Sequence, residues 1–143
     1  MPVHYNISPD LKLVIYLCSG LVSGADIFET SEKVIRDKRR ISGLITIIDF
    51  LDAVENIQSG ELHEAIKRME SLAERGVVIG SVVILSQSRG MQVLVDTINL
   101  LPHKVPFKLD MVYTIEEAIS LLGLSEIQDD IIQFWNETKS PSA

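Results

Sequence analysis

The chain has 143 residues, 46% of them apolar and 23% charged, which suits one domain around a single core and not a disordered chain. Its formal net charge of −7 disfavours general binding to nucleic acid, whose phosphates attract clustered cations. There is no apolar run of the roughly 20 residues that cross a bilayer, no charged-then-apolar signal pattern at the N-terminus, and no internal disulfide partner for the single Cys18, so a cytoplasmic protein without membrane contact is expected.

Val3 to Ser8 and Leu11 to Cys18 read as two strands about a Pro9-Asp10 turn, the second alternating at Leu11, Leu13, Ile15 and Leu17. From Gly24 to about Lys38, Ile27, Phe28, Val34 and Ile35 recur at helical spacing, with Ser23 placed to cap the start. Arg36, Lys38, Arg39 and Arg40 gather at the end of that helix, where cations complement its dipole. After Gly43, Leu44 to Phe50 is apolar and β-branched, as a strand covered on both faces requires.

A loop over Leu51 to Gln58 is expected next, and then the clearest helix of the chain. Leu62, Ala65, Ile66, Met69, Leu72 and Ala73 share one face of it, opposite Glu61, Glu64, Lys67, Arg68 and Glu74. Gly76 suits a left-handed helix end, and Val77 to Leu85 a buried strand. A helix over Ser88 to Leu101 stops at Pro102, and Phe107 to Tyr113 is the last strand. Thr114 and Glu117 have capping-box spacing before a helix to Leu122, and Ser125 with Gln128 repeats it before a final helix. There Ile127, Ile131, Phe134 and Trp135 form an apolar face that packs on its own domain or on another protein.

The order ββαβαβαβαα predicts an α/β domain with an open, mixed, mostly parallel five-stranded sheet and helices packed against it. Residues 1–123 form the domain, 124–138 an additional amphipathic helix of that domain, and 139–143 a flexible tail.

Little in the sequence points to catalysis. His4, His63 and His103 are far apart, none at metal-ligand spacing with Cys, Asp or Glu. There is no nucleophile elbow, dinucleotide fingerprint or Walker loop, so no metal or cofactor is expected. In open α/β sheets ligands gather at the carboxyl ends of the strands. Here that edge collects Asp49, Asp52, Glu55, Asn56, Gln58, Ser59, Ser86, Ser88 and Arg89. Asp49 and Asp52 could share a proton or bind a cation, or could hold backbone amides. Ser86, Ser88, Arg89 and Gly90 lead into a helix whose free amides could hold an anion or nucleotide, or whose serines could simply cap it.

From Asp49 to Leu62, the run Asp-Phe-Leu-Asp-Ala-Val-Glu-Asn-Ile-Gln-Ser-Gly-Glu-Leu resembles the central segment of STAS domains, the anti-sigma-factor antagonist family. In that family a strand leads through a loop to Asp-Ser-Ser/Thr-Gly-Leu at a helix start. The Gly76 strand, the helix from Ser88, Pro102, and Phe107 through Thr114-Ile115-Glu116-Glu117-Ala118 to Gly123 keep the family's order, so the resemblance spans about Val3 to Gly123. It implies a non-enzymatic interaction module, switched in antagonists by phosphorylation of a serine at the helix start. Aligned through Gly60, the family's Asp falls on Ile57, its phosphoacceptor on Gln58 and its second Ser/Thr on Ser59. Gln58 cannot accept a phosphate, which leaves Ser59 as the candidate, or as a helix cap. The expected partner surface is Asp52, Glu55, Asn56, Gln58, Ser59, Gly60 and Glu61, with the start of the Gly24 helix. The partner implied is a regulatory protein of kinase, sensor or anti-sigma-factor type, and a homodimer stays open.

Overall fold

The structure, a computed structural model, describes residues 2–78, 80–101 and 109–140, apart from the side chain of Ser59. Five strands, β1 (Val3–Ser8), β2 (Leu13–Ser23), β3 (Ile45–Asn56), β4 (Val82–Leu85) and β5 (Leu109–Val112), form one sheet in chain order. β1 runs antiparallel to β2, and the other neighbours are parallel. The helices are α1 (Gly24–Arg36), α2 (Ser59–Glu74), α3 (Arg89–Leu100), α4 (Ile115–Leu121) and α5 (Gln128–Lys139), the last preceded by a 3₁₀ turn at Ser125–Ile127. This is the predicted α/β sheet with its predicted order of elements.

Strand order explains the layering. Each parallel crossover from β2 to β5 steps to the next strand in the same direction, and crossovers are right-handed, so their three helices fall on one face. The opposite face would be bare without a further layer. α4 and α5 supply it, so the final helix packs on its own domain: Ile119, Ile131 and Phe134 cluster with Leu13, Ile15, Ile47 and Val83. On the crossover side, Val14, Tyr16, Ile48 and Ile84 cluster with Val34, Met91 and Val95. Adjacent strand residues thus enter different cores, the two-residue period of the pleat. α2 differs: its Leu62 and Ile66 are buried but belong to neither cluster.

Several boundaries depart from the sequence reading. β3 does not end at Phe50; it continues to Asn56 beside β2, which runs on to Ser23, so Asp52, Glu55 and Asn56 lie on a strand. Polar, exposed residues read as loop because this ribbon projects beyond the core. β4 is confined to Val82–Leu85, since Gly76 (φ 79°) ends α2 with Val77 N–H donating to Leu72 O, and the chain then re-enters past Leu44. Ser125 lies in the 3₁₀ turn and makes no capping hydrogen bond, whereas Ser23 and Thr114 cap as predicted. Lys139 closes α5 over the Trp135 ring instead of starting a tail. Pro102, His103, Phe107 and the tail residues 141–143 lie outside the described residues.

Two features set the stability. The register Leu17↔Asp49, then Ser19↔Asp52, places one extra residue in β3. Buried Asp49 sits at this bulge, where its Oδ1 accepts from Leu51 N–H (2.8 Å) and its Oδ2 from Trp135 Nε1 (2.7 Å). Trp135→Phe leaves Oδ2 without its donor and is expected to lower stability by about 2 kcal/mol, read from urea denaturation.

Burial pushes the Cys18 thiol up from 9.0 to about 12, with smaller contributions from Asp49 and Asp26. Burial also raises the Tyr16 hydroxyl from 10.0 to about 12, partly offset by its hydrogen bond with Ser31. The unfolded chain therefore releases these protons first as pH rises. Their contribution is complete below about pH 9 and is lost progressively toward about pH 12. Urea midpoints should fall over that window, and Cys18→Ala should flatten its lower part.

Candidate interaction site

The carboxyl edge of the sheet carries the candidate site. β1 pairing ends at Cys18 and β4 pairing at Asp49, so Ser19–Ser23 and Asp52–Asn56 pair only with each other among the described strands. This two-stranded ribbon presents Leu21 and Val54 as direct cross-strand partners, 63% and 61% exposed. Because side chains alternate along a strand, the bulge reverses which residues face which side. Before it Thr46, Ile48 and Phe50 face α1–α3; after it Ala53 and Glu55 do, and Val54 is turned outward.

The helix starts at this edge are already held by carboxylates. Glu61, the third residue of α2, accepts from Gln58 N–H through Oε1 (2.9 Å) and from Ala25 N–H through Oε2 (2.9 Å). One side chain thus serves the starts of two helices, whose unpaired amides and positive dipole ends favour an anion. Gly24 makes room for it: a Cβ there would lie 2.5 Å from Glu61 Oε2. At α3, Glu55 Oε1 accepts from Ser88 Oγ (2.6 Å) and sits against Gly90, while Ser88 Oγ caps Met91 N–H (3.2 Å). Asp26 completes the α1 capping box with Ser23.

These contacts place each sequence-predicted residue. Asp52, Asn56, Gln58 and Gly60 are exposed along the ribbon and the start of α2, while Glu55 and Glu61 are partly buried in the capping contacts. Gln58 is the N-cap position, with its N–H held by Glu61, and Ser59 is the first residue of α2. Ser86 is buried and accepts from Ser88 N–H (3.1 Å); Arg89 is exposed. An anion at Ser86 to Gly90 would meet the Glu55 carboxylate. Asp49 has both oxygens committed and Asp52 makes no hydrogen bond or ion pair among the described residues, so the two do not form an acid–base pair.

The basic cluster disperses: Arg36 reaches Glu32 (3.7 Å), and Arg39 folds onto Asp37 (3.0 Å) and Asn6 (2.9 Å). Arg39 in turn holds the Asp37 carboxyl well below its ordinary range, and Tyr5 donates to it. His4 and His63 are exposed. Among the described residues no group of three His, Cys, Asp or Glu could hold a metal ion, and no helix is long and apolar enough to cross a membrane. Sequence reasoning missed Leu21, the face of Val54, which depends on the bulge in β3, and the bridging role of Glu61, whose only signal was its third position in the helix.

Glu61→Ala frees amides on two helices and is expected to cost about 1–2 kcal/mol of stability, with faster hydrogen exchange at Ala25 and Gln58.

No family model and no curated protein matches the sequence. Among solved structures, the chain is similar to the anti-sigma factor antagonist SpoIIAA in its unphosphorylated form, at 16% identity and a TM-score of 0.51, over 84% of this chain and 96% of that one. It is also similar to an uncharacterized protein of the DUF3478 family with a SpoIIAA-like fold, from Shewanella loihica PV-4, at 13% identity and a TM-score of 0.51, over 84% of this chain and 91% of that one. The shared feature is the fold.

Proposed function

We propose that this divergent STAS-like domain is a non-enzymatic protein-interaction module, which docks a regulatory partner of kinase, sensor or anti-sigma-factor type on the β2–β3 ribbon and the start of α2. The observation that carries the reading is the exposed Leu21–Val54 pair on a ribbon whose outer edges pair with no further strand among the described residues. Apolar side chains in the middle of a polar rim are the usual centre of an interface, and a free strand edge accepts an added strand. Asp52, Asn56, Gln58 and Gly60 form the polar border. The likeness to an anti-sigma factor antagonist supports the same role.

The edge suits docking better than turnover or anion capture. Its helix starts are closed by the protein's own carboxylates, so a phosphate or nucleotide there would have to displace Glu55 or Glu61. Control by phosphorylation would fall to Ser59. A phosphate on the first residue of α2 would add negative charge two positions before Glu61, whose carboxylate links α1 to α2, and would work against that link.

Affinity capture followed by mass spectrometry tests the reading, with wild type beside Leu21→Asp and Gln58→Arg. Both substitutions lie on exposed positions and are expected to change stability by no more than about 0.5 kcal/mol. Wild type should retain a regulatory protein that both variants lose. Equal retention by all three would place docking elsewhere.

A further inference from the structure

The crossover side of the sheet carries a cavity of about 260 Å³ under α2, partly open to solvent. Val14, Tyr16 and Ile48 line its floor, and Leu62, Ile66 and Met69 its roof. Native interiors contain few voids larger than a water molecule, and a predominantly apolar lining offers water few of the two to four polar partners it needs. A cavity of about 150 Å³ with a comparable lining takes up benzene, so on that scale this one has room for roughly ten carbon atoms. It exists because α2 stands off the sheet: its inner residues are buried without joining either packed cluster.

The charged groups in the lining are unequal. Arg68 is shared by Glu32 (3.8 Å) and Glu64 (3.5 Å), and lies over the Phe28 ring. Glu32 also meets Arg36, and Glu61 serves the amides of Ala25 and Gln58. Arg40, partly buried, makes no ion pair among the described residues. It lines the end of the cavity nearest the start of β3, together with Leu44 and Gly80. An apolar cavity with one uncommitted guanidinium calls for a hydrocarbon chain ending in an anion.

We propose that this cavity is a binding site for a medium-chain fatty acid, its chain between α2 and the sheet and its carboxylate on Arg40. A polypeptide helix, about 10 Å across with its side chains, would not fit beneath α2 in place. The site needs nothing from the ribbon, so it stands or falls independently of partner docking.

Calorimetric titration of the intact protein with decanoate, decanol and acetate tests the proposal. Decanoate should bind as a single equivalent and raise the Tm, decanol should bind about tenfold more weakly, and acetate should give no signal. Arg40→Gln should reduce decanoate to the level of decanol. Met69→Trp, which fills the roof, should remove both. A measurement on wild type needs no variant to fold: methyl NMR signals of Met69 and Met91, which both line the cavity, should shift together with decanoate. Absence of saturable decanoate binding, equal binding by Arg40→Gln, or methyl signals that do not move would each overturn the proposal.

Discussion

The bulge in β3, held by the buried carboxylate of Asp49, is the constraint on which the rest of the molecule depends. An extra strand residue leaves a backbone amide without its ladder partner, and Asp49 Oδ1 accepts from Leu51 N–H at that point. The other oxygen receives the Trp135 indole proton and so ties the bulge to α5 on the far face. The shift of one position then reverses the parity of everything beyond it. Glu55 is directed to α3 and Val54 to solvent; with an unbroken ladder the two would exchange faces.

Around that point the fold divides its labour by face. Same-handed crossovers force α1, α2 and α3 onto one side, and the C-terminal helices close the other. At the carboxyl edge, Glu55, Glu61 and Asp26 hold helix starts that would otherwise attract anions. Glu55 ties the ribbon to the start of α3, and Glu61 ties α2 to α1. The result is an edge whose helix starts are closed by the protein's own carboxylates and whose apolar Leu21–Val54 pair is exposed. The side of α2 that faces the sheet is less tightly packed and leaves the cavity beneath it.

Local pattern made much of this legible. Alternation in Leu13, Ile15 and the neighbouring residues marks β2, and the i, i+4, i+7 stripe of Leu62, Ile66 and Met69 marks α2. Capping at Ser23 and Thr114 was readable because the bond is made within three residues. The carboxyl-edge residues could be gathered from order alone, since parallel strands joined by helices bring their ends together. The strand extension past Phe50 was not readable, because Asp52, Glu55 and Asn56 have the polarity of a loop and become strand only through pairing with Ser19, Val22 and Ser23. The same holds for Asp49: as an acid near a loop it resembles a catalytic group, and only Trp135, 86 positions away in sequence, shows it to be structural.

By itself, the sequence determined the element types, their order, the parallel sheet and the edge where a site would lie, because these follow from short-range periodicity, capping and the handedness of crossovers. Tertiary structure alone decided the bulge, the faces of Val54 and Glu55, the double use of Glu61 and the space beneath α2. Each of these depends on contacts between residues far apart in the chain, and such contacts leave no periodic trace along it.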